Sequence, residues 1–148
     1  MKREPRTPWR VLTTCRYGAT QTIASPARLD DGTPFPTWAW LVCPWLTHVA
    51  AVAETAGECD VWTRRLSDDT RLSARMRRVD CEVRRLRREE SGGVDACEQV
   101  GLAGQRDCTK VKCLHAHIAY ALAGLDDPIG CELLARHGKA CGDRRCVR

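Results

Sequence analysis

Thr37-Trp-Ala-Trp-Leu-Val-Cys43-Pro44 is the stretch at which the chain changes character. Its aromatic and aliphatic residues read as a buried strand, and the proline that follows cannot donate to a ladder, so the strand ends at Cys43. Toward the N-terminus the pattern stays extended. Arg10-Val-Leu-Thr-Thr-Cys15 is a β-favourable run, Tyr17-Gly18-Ala19 turns, and Thr20 to Ala24 returns. Asp30-Asp31-Gly32 is a second turn signal, and Thr33-Pro-Phe-Pro36 is held extended by its prolines. Three antiparallel strands in meander order are therefore expected over residues 9–44.

Beyond Pro44 the period becomes helical. Thr47 can cap a helix carrying Val49, Val52 and Ala53 that ends near Gly57, and Cys59 to Leu66 makes a second. Leu72, Met76, Val79, Val83 and Leu86 alternate spacings of four and three, the seam of a third helix that starts at Ser67 or Asp68 and stops at Ser91-Gly92-Gly93. Residues 91–107 read as a long, mobile, glycine-rich loop. Lys110 to Leu125 and Cys131 to His137 supply the last two helices, and Lys139 to Arg148 is a basic tail. The fold class is α+β: a small antiparallel meander packed on about five helices. One domain is expected over residues 1–148, with a strand module (9–44), a helical part (45–138) and the tail (139–148).

The chain has 148 residues, a formal net charge of +5 and ten cysteines. The longest apolar stretch, Ala39 to Leu46, falls far short of the roughly 20 residues a membrane span requires, and Met1 to Arg10 lacks the apolar core of a secretory signal. A cytoplasmic protein is expected, with no membrane contact. There thiols stay reduced, so the cysteines read as buried hydrophobes or metal ligands before they read as disulfides. Much of the charge lies between Arg64 and Arg88. That face could bind nucleic acid or an acidic protein, but it has no aromatic interleaving and also fits a solvated helix face. The seam packs within the chain or joins two copies in a homodimer.

Cys113-Leu-His115-Ala-His117 is the densest group of metal-ligating side chains. Cys113 and His117 share a helical face, whereas Cys113 and His115 converge only if the first turn is still extended. Thiolate and imidazole are common zinc ligands, and thiolate-rich sites also accept iron. Cys108-x4-Cys113 and Cys141-x4-Cys146 are wider than usual finger spacings, and the tail cysteines read as exposed. Cys15 and Cys43 each end an expected strand. His48 and His137 read as ordinary surface or core residues. No phosphate loop, HExxH or Gly-x-Ser-x-Gly motif occurs.

Thr14-Cys-Arg-Tyr-Gly18, Leu29-Asp-Asp-Gly-Thr-Pro-Phe-Pro-Thr37 with Cys43-Pro44, Val111-Lys-Cys-Leu-His-Ala116 and Asp127-Pro-Ile-Gly130 follow in order along the chain. Together they resemble a bacterial family catalogued as domain of unknown function 501. The resemblance assigns no reaction. It implies that Cys15, Cys43, Cys113 and His115 are the family's metal-ligand positions, with His117 a spare ligand outside the pattern. Asp31, Gly32, Thr33, Thr37, Lys112 and Asp127 would line an adjoining pocket. The leading expectation is one structural zinc ion in a Cys3His site. If one ligand were water instead, the same residues would make a metal-dependent hydrolase or deaminase. Asp31, Asp127 or Glu54 would then be the base and residues 91–107 the lid. A metal-free enzyme with Cys113 as nucleophile ranks below both.

Overall fold

A computed structural model describes residues 7–146. The first part of the Met1 to Arg10 segment and the last two tail residues lie outside it. Strands β1 (Arg10–Thr14), β2 (Thr20–Ala24) and β3 (Ala39–Leu41) form an antiparallel sheet in the order β1-β2-β3. Gly18, at φ +80°, closes the first hairpin by donating to the Cys15 carbonyl, while the Cys15 amide donates to Ala19. β2 runs down the centre, with Ile23 opposite Trp40 and Ala24 opposite Ala39. β3 is shorter than Thr37 to Cys43 because both ends are claimed by other bonds. The Trp38 carbonyl accepts from the Ser25 amide, and the Val42 and Cys43 amides share the Gln21 carbonyl.

Helix α1 (Pro44–Thr55) starts before Thr47, since Pro44 suits a first helical position and Cys43 sits extended as its cap. It is followed by α2 (Glu58–Asp68) and α3 (Thr70–Glu90). Asp69, rather than Ser67 or Asp68, caps α3, accepting from the amides of Arg71 and Leu72 at 2.9 and 3.1 Å. α4 (Leu114–Leu122) is shorter than the pattern from Lys110 to Leu125 suggested, because Cys113 is extended. α5 (Pro128–His137) starts three residues before Cys131, because Asp127 caps it and Pro128 opens it.

The sheet and all five helices contribute to one buried apolar cluster. α4 is its centre, packed on α1, α5 and β3. At the α4–α5 crossing, a Cβ on Gly130 would lie 2.0 Å from the His117 carbonyl oxygen, so only glycine permits this approach. The α3 seam packs within the chain, with Met76, Val79 and Val83 buried and Leu72 and Leu86 against the cluster.

Residues 91–107 are held rather than loose. Arg87, one of the Arg-rich stretch, is wholly buried, and its guanidinium meets the Asp95 carboxylate at 2.8 Å. It also donates to the carbonyls of Cys97 (2.8 Å), Val100 (2.5 Å) and Pro36 (3.2 Å). The planar fork organises a loop that has little apolar surface of its own. The segment contains a single 3-10 turn, Leu102–Gly104, tied to α3 by the Leu102 amide donating to Asp80 at 2.8 Å. Replacing Arg87 with Met strands the Asp95 charge in the interior, and urea denaturation should register a loss of about 3–5 kcal/mol. A loss under about 1 kcal/mol would contradict this role.

Candidate metal centre

The end of α1 meets the start of α4. Glu54, in the last turn of α1, accepts from the Leu114 amide at 2.7 Å, and the same Oε1 lies 3.0 Å from His115 Nδ1. It thus satisfies an N-terminal amide of α4 that has no partner within its own helix. Cys113 is the cap residue, at φ −142° and ψ 106°, and its side chain makes no capping bond. That extended backbone lets the Cys113 and His115 side chains share one side, the condition their spacing demands. One ligand atom each from Glu54, Cys113 and His115 lies within 4.8 Å of the other two. All three residues are half-buried.

The electrostatics follow from this contact. The hydrogen bond to Cys113 first, and then the hydrogen bond and charge of Glu54, push His115 up to about 9, against an opposing effect of burial. Cys59, in the first turn of α2, is raised chiefly by burial and then by the Glu54 and Cys113 charges, though it lies outside the 4.8 Å group.

The four expected ligands fall into two pairs. Cys113 and His115 join Glu54, whereas Cys43 caps the opposite end of α1, about 16 Å away along the helix axis. Cys15 accompanies Cys43, and these two line a small cavity with Cys141 and Cys146. Cys141 is buried, against the reading of both tail cysteines as exposed, while Cys146 is exposed. His117 is no spare ligand at this site: it is buried, with Nδ1 2.7 Å from Asp127 Oδ2. Asp127 Oδ1 in turn accepts from the Ile129 and Gly130 amides, both at 3.0 Å. The pair locks α4 to α5.

Of the other expected pocket residues, Asp31, Gly32 and Thr33 serve their own turn. Asp31 accepts from the Thr33 amide at 2.9 Å, Gly32 takes φ +85°, and the Thr33 carbonyl accepts from Leu29. The Thr37 carbonyl accepts from Ser25 Oγ, and Lys112 is exposed. In the basic stretch, Arg65 pairs with Glu132, Arg75 with Asp126, Arg84 with Asp80, Arg85 with Glu82 and Glu89, and Arg87 with Asp95. Half of the ten arginines between Arg64 and Arg88 thus hold acids of the chain itself.

Glu54 entered the sequence reading only as a candidate base. A cue was present: an acid in the last turn of a helix sits at the negative end of its dipole and calls for a compensating partner. Here that partner is the positive N-terminus of α4 together with His115.

A family profile described as "Protein of unknown function (DUF501)" matches residues 11–135. The chain belongs to the DUF501 family. Comparisons with curated proteins and with solved structures found no match. The DUF501 match includes Cys15, Cys43, Glu54, Cys113 and His115 and ends before Cys141 and Cys146. Among the described residues of this DUF501 protein, no helix is long and apolar enough to cross a membrane.

The raised His115 value has a consequence for stability. Its folded value of about 9 exceeds the ordinary 6.5, so its contribution is complete below about pH 6.5 and is lost as pH rises through about 9. Glu54→Gln removes one cause of the elevation. With a chelator present, urea denaturation across that window should show stability falling less with pH in the variant than in the parent chain. Equal slopes would contradict the pairing.

Proposed function

We propose that this chain is a metal-binding protein in which Glu54, Cys113 and His115 hold a zinc ion that ties the end of α1 to the start of α4. The observation that carries this reading is the mutual approach, within 4.8 Å, of a carboxylate, a thiol and an imidazole from two elements distant in sequence. Carboxylate oxygen, thiolate and imidazole all belong to the ligand set of zinc, whereas calcium and magnesium take oxygen ligands. Both described hydrogen bonds to Glu54 fall on Oε1, which fixes the carboxylate in place. The fourth position falls to Cys59, giving a closed structural site, or to water, giving the open site of a hydrolase or deaminase. Because Cys113 and His115 must lose their protons to bind, zinc uptake releases protons.

Metal analysis of the purified chain tests this. Cys113→Ser and His115→Ala should each remove one zinc equivalent and weaken zinc binding by more than the roughly 10–100-fold that loss of a supporting partner costs. Folded variants that retain the parent's zinc content would contradict it.

A second reading is favoured by the mutual approach of Cys113, His115 and Glu54, with 3.0 Å between the last two. This is the arrangement of nucleophile, base and orienting acid in covalent catalysis. Alkylation by iodoacetamide separates the two readings. If Cys113 is modified faster than exposed Cys81 with and without chelator, the nucleophile is favoured. If it is modified only after chelation, the metal is favoured.

A further inference from the structure

Four thiols converge at the opposite end of α1. Cys15 opens the β1–β2 hairpin turn, Cys43 caps α1, and Cys141 and Cys146 come from the segment after α5. Together they line a cavity of about 10 Å³, room for the centre of one water-sized sphere. Cys43 and Cys141 are 5% and 6% exposed, and all four are free thiols. No carboxylate lines the cavity; Tyr17, Gln21, Arg144 and small residues complete it. Its four thiols outnumber the neutral oxygens of Tyr17, Thr20 and Gln21 and supply the soft donor set that selects zinc or iron over hard cations.

The tail is placed by contacts that would align it for such a role. Gln21 Nε2 donates to the Lys139 carbonyl, the Arg144 guanidinium lies 5.2 Å from the Tyr17 ring centre, and Arg145 lies 5.3 Å from that of Trp45. These contacts bring a basic segment without helix or strand onto the hairpin and the first turn of α1, yet it buries few apolar groups there. A buried Cys141 and a neighbouring Cys146 in such a segment have a reason if both bind the same ion.

We propose that Cys15, Cys43, Cys141 and Cys146 form a second, four-thiolate zinc site that clamps the C-terminal tail onto the hairpin end of the sheet. The site is independent of Glu54, Cys113 and His115, from which α1 separates it. The four sulfurs stand wider than the roughly 3.8 Å edge of a zinc–thiolate tetrahedron: among the described residues, only Glu54, Cys113 and His115 form a triple within 4.8 Å. Closing the site therefore requires inward movement of more than the exposed Cys146 turn, because Cys15, Cys43 and Cys141 also stand wider than this: side-chain rotation at these three thiols has to accompany a shift of the tail.

Zinc analysis and cobalt(II) titration of the reduced full-length chain test the proposal. Cobalt bound by four thiolates gives intense sulfur-to-metal charge-transfer absorption and strong visible bands. Cys141→Ser/Cys146→Ser should lose one zinc equivalent and most of that absorption, and its tail should become open to trypsin after Lys139, Arg144 and Arg145. Cys113→Ser/His115→Ala should keep both the spectrum and the protection. Cys146→Ser alone changes an exposed position and leaves the core intact, so it should fold and bind at least tenfold more weakly at this site. The proposal is overturned if Cys146→Ser and the double variant keep the parent's zinc content and cobalt spectrum.

Discussion

The length of α1 is the constraint on which the arrangement of the chain's chemistry depends. The helix is pinned by Leu46, Val49, Ala50 and Ala53, all buried in the common core, and its start is fixed by Pro44. Cys43 stands at one end and Glu54 in the last turn at the other, separated by about 16 Å of rigid helix. No rotamer bridges that span. The thiols and the imidazole that the family motifs group together are therefore sorted to two ends of one rod, and each end meets a different segment. α4 supplies Cys113 and His115 to one, while the tail supplies Cys141 and Cys146 to the other.

Buried and half-buried polar groups hold the parts that the apolar core cannot. Arg87 gathers residues 95–101, the His117–Asp127 pair fixes α5 against α4, and Asp80 links Arg84 to the Leu102 amide. Each is paired, which is the condition for burying such groups at tolerable cost. Their neighbours show the tightness of the fit: a Cβ on Gly101 would lie 1.9 Å from Asp80 Oδ1. The loop and the helix pair therefore have one arrangement rather than several. Cys113 and His115 are kept in register with Glu54 by the packing of α4 on α1 and the Leu114 amide bond.

The α+β architecture was legible in the sequence because β-branched runs and the Asp-Gly-Thr-Pro turn define the meander, and the four-three spacing from Leu72 to Leu86 defines α3. Helix starts were misplaced where the cap differed from the best local candidate, as with Cys43-Pro44 for Thr47 and Asp69 for Asp68. Cys113 and His115 were legible as a pair because their convergence is local. Glu54 was not legible as their partner, since its contact with α4 spans 60 residues and depends on how α1 packs. Arg87 resembles the other arginines of α3 until tertiary packing surrounds it. Cys141 and Cys146 read as solvent-facing because a basic tail carries no periodicity that reports its return to the sheet.

The separation of two metal sites by α1 is tested most directly by anomalous diffraction at the zinc absorption edge, from crystals of the full chain grown with zinc. Two peaks are predicted, about 16 Å apart, one beside Glu54, Cys113 and His115 and one ringed by Cys15, Cys43, Cys141 and Cys146. A single peak surrounded by Cys15, Cys43, Cys113 and His115, or no peak at either end of α1, would contradict it.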